Sequence, residues 1–78
     1  MRFWRCYKVM KDLWFIDEDN NIWKWSNDYS YSYSTIYLKT DNYIIPYSWE
    51  TTKKGFNLYK EWYSFNEISE SDAILELL

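Results

Sequence analysis

The strictest alternation of aromatic and small polar residues falls between Asp28 and Leu38, which reads Asp-Tyr-Ser-Tyr-Ser-Tyr-Ser-Thr-Ile-Tyr-Leu. In an extended strand this period of two puts Tyr29, Tyr31, Tyr33, Thr35 and Tyr37 on one face, with Ser30, Ser32, Ser34, Ile36 and Leu38 on the other. A helix would scatter the tyrosines around its circumference, so the pattern predicts a strand. Serines opposite Tyr29, Tyr31 and Tyr33 offer little to a core, whereas Ile36 and Leu38 offer much. The strand is therefore expected to enter the fold near Thr35 and to project its first half to an edge or rim.

The flanking segments extend this β pattern. Met1 to Met10 reads as a central strand, with Phe3, Tyr7 and Val9 on one face and Trp4, Cys6 and Met10 on the other. Leu13 to Ile16 and Ile22 to Trp25 are separated by Asp-Glu-Asp-Asn-Asn over residues 17–21, a cluster of turn formers that closes a β-hairpin with a solvated tip. Trp23 and Trp25 share a face of its second arm, an arrangement suited to a core and also to stacking on a sugar or base. A second hairpin joins Thr35 to Lys39 with Tyr43 to Trp49 through Thr40, Asp41 and Asn42. Pro46 has no N–H for a ladder, so this arm is expected at an edge or with a bulge.

The C-terminal third is less regular. Glu50 to Gly55 is polar, holds the only glycine, and reads as a solvated loop around Lys53 and Lys54. Phe56 to Tyr63 fits a helical face through Leu58, Tyr59 and Trp62, and its aromatic content tips the expectation toward strand. Ser64-Phe65-Asn66-Glu67 matches a capping box, predicting a short C-terminal helix through Ile68 toward Leu75 and Leu78, with an interruption and restart at Ser69 to Asp72. The expectation is a single compact α+β domain over residues 1–78, mainly β, with a small antiparallel sheet or partly open barrel of five to six strands.

Composition narrows the chemistry. Among 78 residues there is no histidine and one cysteine, Cys6, so Ser-His or Cys-His catalysis and an internal disulfide are impossible within one chain. Cys6 reads as a buried apolar residue. Asp17, Asp19 and Asn21 occupy the first, third and fifth places of a calcium-loop pattern, but Ile22 stands where that loop needs glycine and Asp28 replaces its bidentate glutamate. Neither a metal nor any other cofactor is expected, and the carboxylates of residues 17–19 lack a pocket signature for acid–base catalysis. The protein is not expected to be an enzyme.

Charge and aromatic content supply the functional expectation. Nine basic and twelve acidic residues give a net charge of −3, without a uniformly basic footprint for nucleic acid. Arg2, Arg5, Lys8 and Lys11 cluster at one end and five acids between Glu61 and Glu76 at the other. Six Trp, nine Tyr and four Phe exceed what so small an interior can hide. The surplus points to a protein-binding module acting by surface occupancy, with Tyr29, Tyr31, Tyr33 and Tyr37 at its centre and Asp17, Glu18, Asp19 and Asp28 steering a basic partner. Self-association is a further outcome of the same physics.

Small size and an Asn-, Lys-, Ile- and Tyr-rich composition suit a phage- or mobile-element-encoded inhibitor of a bacterial defence protein, of the anti-CRISPR kind. Its partner would then be the basic surface of a nucleic-acid-processing complex. The alternatives are single-stranded nucleic-acid or carbohydrate binding through exposed aromatics, or a toxin-neutralising immunity protein. No signal-peptide pattern or bilayer-spanning run is present, and a cytoplasmic protein of a bacterial or phage-infected cell is expected.

Overall fold

A computed structural model describes residues 11–27 and 31–78. The strand expected over Met1 to Met10, with Cys6, lies outside them, as do Asp28, Tyr29 and Ser30. The described chain forms β1 (Lys11–Ile16), β2 (Ile22–Asn27), β3 (Ser32–Lys39), β4 (Ile44–Glu50), α1 (Lys53–Trp62), β5 (Asn66–Ile68) and α2 (Glu70–Leu77). The strands make one open, antiparallel sheet in the order β4-β3-β2-β1-β5. This is the expected mainly β, α+β class with a short C-terminal helix, and of the two forms expected, a small antiparallel sheet or a partly open barrel, it is the open sheet, with five strands.

The hairpin between β1 and β2 forms where the turn residues predict it, but its tip is not simply solvated. Asp17 is 6% exposed, and its carboxylate accepts from the backbone N–H of Asp19 at 2.9 Å and of Asn21 at 2.8 Å. It also accepts from Asn21 Nδ2 at 3.3 Å and from the indole Nε1 of Trp23 at 2.9 Å. Asn20 completes the reversal with φ of 67°, a left-handed conformation that asparagine tolerates better than most residues. One side chain thus closes the turn and orients the central ring of the core.

That core lies on one face of the sheet. Phe15, Trp23 and Trp25 point there by strand alternation and cluster with Phe56 of α1, while Leu13, Ile36, Trp49, Tyr59 and Phe65 pack around them. Phe56 is 1% exposed and sits 5.3 Å from Phe15 and 6.0 Å from Trp25, centroid to centroid. Tyr59, one turn later, meets Trp23 at 5.8 Å and accepts a hydrogen bond from Trp49 Nε1 at 3.2 Å.

These contacts correct the strand expected over Phe56 to Tyr63. Phe56, Tyr59 and Tyr63 fall at i, i+3 and i+7, one side of a helix, and the sheet offers them aromatic partners. Thr52 caps the helix by accepting from Gly55 N at 3.0 Å, so Lys53 and Lys54 form its first turn rather than a loop. Gly55 fits because a Cβ there would meet Thr51 Cγ2 and Thr52 Oγ1 at 3.3 Å.

The capping box expected at Ser64 is also corrected. Ser64 has φ of 53°, and Phe65 N–H donates to Lys60 O at 3.1 Å, the six-to-one bond of a helix terminus closed by a left-handed residue. Ser64 therefore ends α1. The Ser-x-x-Asp pattern at Ser69 starts α2 instead, with Ser69 Oγ accepting from Asp72 N–H at 3.1 Å. Glu70 and Asp72 in that first turn complement the helix dipole.

Helix α2 lies against β1 and β2 and contributes the buried Ala73. Lys39 Nζ, on the face opposite Trp23, donates to the carbonyl oxygen of Glu76 at 2.7 Å, which places the end of α2 on that reverse face. Ile22, fully buried, belongs to the same side by alternation.

Candidate surface on the tyrosine face

The parity expected for the tyrosines holds across β3. Tyr33, Thr35, Tyr37 and Lys39 alternate with Ser34, Ile36 and Leu38, and Tyr31 precedes the strand with its ring 6.1 Å from that of Tyr33. Tyr31 is 51% exposed and Tyr33 38%. Tyr37 is half-buried and stacks on Trp14 at 5.8 Å with ring planes 24° apart.

β3 is not a projecting edge, contrary to expectation. Its first half pairs with both neighbours, Ser32 with Asn27, and Tyr33 with Ser26 on one side and Glu50 on the other. The serine side contributes more than expected: Ser34 is fully buried because it sits between two tryptophans, paired with Trp25 on β2 and Trp49 on β4. A small side chain there makes room for both indoles. Trp25 Nε1 and Ser34 Oγ have no hydrogen-bond partner among the described residues.

The register builds the reverse face in rows. Asp12, Ser26, Tyr33 and Glu50 lie side by side across four strands, and the next row holds Trp14, Lys24, Thr35 and Ser48. Thr35 and Ser48 share a hydrogen bond of 2.8 Å, and the Lys24 ammonium lies 5.3 Å from the Trp14 ring centroid. Asp12 and Glu50 are exposed and make no salt bridge among the described residues. Neither was singled out by sequence, because only the register aligns acids 38 positions apart.

Edge geometry explains Pro46. Thr40 N–H bonds Tyr43 O at 2.8 Å and Thr51 N–H bonds Ser32 O at 2.9 Å, so by alternation Tyr43, Ile45, Tyr47, Trp49 and Thr51 direct their backbone groups at β3. Pro46 falls among the residues whose groups point away from β3. It lacks an N–H only where none is needed, and no bulge is required.

Of the acidic residues expected to join the tyrosines, Asp28 lies outside the described residues and the other three sit elsewhere. Asp17, Glu18 and Asp19 occupy the β1–β2 turn, roughly 17 Å along the sheet from the row that holds Tyr33. Asp17 is engaged internally, and Glu18 N–H reaches Tyr63 O at 3.4 Å. Trp23 and Trp25 are buried, so they offer no platform to a sugar or base.

Other features are sparse. Among the described residues no group of three or more Cys, Asp or Glu is placed to hold a metal ion. An open depression of about 400 Å³ is lined by Ser32, Glu50, Thr51 and Thr52, and a smaller one of about 190 Å³ lies between the β3–β4 turn and Leu77 and Leu78. No described helix is long and apolar enough to cross a membrane. Comparison with protein-family models, characterised proteins and solved structures returned no match.

Proposed function

We propose that this protein is a binding module that occupies a protein partner's surface through the tyrosine face of its sheet. The supporting observation is the adjacent, exposed pair Tyr31 and Tyr33 on a regular strand, held from behind by an aromatic core. Tyrosine gives large contact area for few frozen rotors, and a paired strand holds the rings without further ordering. Ser26 and Ser48 beside them supply small polar contacts.

Within this class, the finer reading carried from size and composition is a phage- or mobile-element-encoded inhibitor of a bacterial defence protein. The test is affinity capture from bacterial lysate with wild type and with Tyr31→Ser/Tyr33→Ser. Capture of a defence-complex subunit by wild type, lost in a variant with an unchanged circular dichroism spectrum, is the expected result. Identical catches remove the tyrosine face from the reading.

A further inference from the structure

We propose that the tyrosine face accepts arginine, so that the partner is a protein segment presenting guanidinium groups to Tyr33, Glu50 and Asp12. This rests on the reading above and names the chemistry of its partner.

Glu50 and Tyr33 are direct cross-strand neighbours, and the bonds at Ser32–Thr51 and Thr40–Tyr43 make theirs a non-hydrogen-bonded pair. Side chains approach closely in such a pair, with Cα atoms about 4.5 Å apart. A carboxylate is thus held beside an exposed phenol whose ring already contacts a second. Guanidinium meets both demands: its plane stacks on an aromatic face while its edge donates two parallel hydrogen bonds to a carboxylate. A lysine ammonium can satisfy only one of the two geometries well.

Asp12 ends the same row, three strand spacings from Glu50, or about 14 Å. An extended segment with cations four residues apart spans the same distance.

The local charge distribution favours such a ligand. Lys53, three residues after Glu50, lies on the far side of the sheet with its ammonium 5.0 Å from the Trp25 centroid, and Lys60 lies over Phe15 there. On the tyrosine face, Lys24 is drawn to Trp14 and Lys39 is bound to α2. Asp12 and Glu50 are left without ion partners among the described residues, which repels phosphate and attracts a basic peptide.

The probe is a synthetic extended peptide with two arginines four residues apart, compared with its citrulline and lysine counterparts. Binding is followed by amide chemical shifts of the full chain. Shifts should cluster at Asp12, Tyr31, Tyr33 and Glu50. Tyr33→Leu and Glu50→Gln should each weaken the arginine peptide by about two- to fivefold, the range of an exposed cation–π or ion-pair contact. The citrulline peptide should bind at least about tenfold more weakly, since it lacks both charges.

Equal affinity for citrulline or lysine, no effect of Glu50→Gln, or shifts confined to other surfaces overturns the assignment. If the captured partner depends on Tyr31 and Tyr33 but is indifferent to Glu50→Gln, the binding-module reading stands and the arginine chemistry fails. If neither substitution set matters to the partner, the tyrosine face is removed from the binding-module reading as well.

Discussion

Replacing Asp17 with alanine should be among the most damaging changes to a charged residue in this chain. The carboxylate accepts four hydrogen bonds, one from the buried indole of Trp23, whose ring contacts Trp49, Tyr59, Tyr63 and Phe65. Orphaning a buried donor costs about 1–3 kcal/mol, and the two backbone N–H groups of the turn add about 0.5–1.5 kcal/mol each, less where water replaces the acceptor. Asp17→Ala should therefore lose about 2–5 kcal/mol. A chain of this length has only about 4–12 kcal/mol in total, and the expected fall in Tm is on the order of 10–30 °C.

Asp17→Asn separates the two halves of the effect. Its one carbonyl oxygen can serve the backbone donors of Asp19 and Asn21, but its amide nitrogen then faces the Trp23 N–H, donor against donor. It should recover about 1–2 kcal/mol of the alanine loss and no more. Urea unfolding followed by tryptophan fluorescence measures all three proteins, and a double-mutant cycle with Trp23→Phe should show coupling of at least about 1 kcal/mol. An alanine variant within about 0.5 kcal/mol of wild type, or additive single changes, refutes the claim that this carboxylate orients the core.

Three further outcomes are expected. Phe56→Ala, at the junction of helix and sheet, should lose about 3–5 kcal/mol in the same urea assay, enough to leave part of the population unfolded. Ser64→Gly should gain about 1 kcal/mol by relieving the left-handed strain at the end of α1, with the amide spectrum changed only locally. Pro46→Val restores an outward N–H on β4 while leaving its ladder to β3 intact, so sedimentation should show increased self-association with little change in monomer stability.

The arrangement suggests a division of labour between the two sheet faces. One is closed by α1 through ring contacts that leave little of Phe15, Trp23, Trp25 or Phe56 exposed. Among the described residues the other is only partly covered by α2, and the tyrosine pair lies at the end that α2 does not reach. Tyr43, Tyr47, Trp62 and Tyr63 are also exposed, but they lie on the β3–β4 turn, the edge strand, α1 and its C-terminal end. Tyr31 and Tyr33 differ in being an exposed aromatic pair in mutual ring contact beside a carboxylate, that of Glu50, with no ion partner among the described residues.

What the residues by themselves determined is local: alternation gave β3 its two faces, turn formers placed both hairpins, and Pro46 marked an edge. Each depends on backbone preference and period within a few positions. Long-range context decided the rest. Phe56 to Tyr63 has aromatic content that suits a strand, yet it coils because a sheet face waits for Phe56, Tyr59 and Tyr63 at helical spacing. Two Ser-x-x-acid patterns compete as caps, and packing of Phe65 against Phe15 and Trp23 assigns Ser64 to a helix end and Ser69 to a helix start. Likewise, Asp17 looks like any turn acid until Trp23 folds over it, and Asp12 and Glu50 become neighbours of one tyrosine patch only through strand register. Propensity acts over a few residues, whereas burial and pairing act across the whole chain, so contacts of high sequence separation were the part no local pattern could carry.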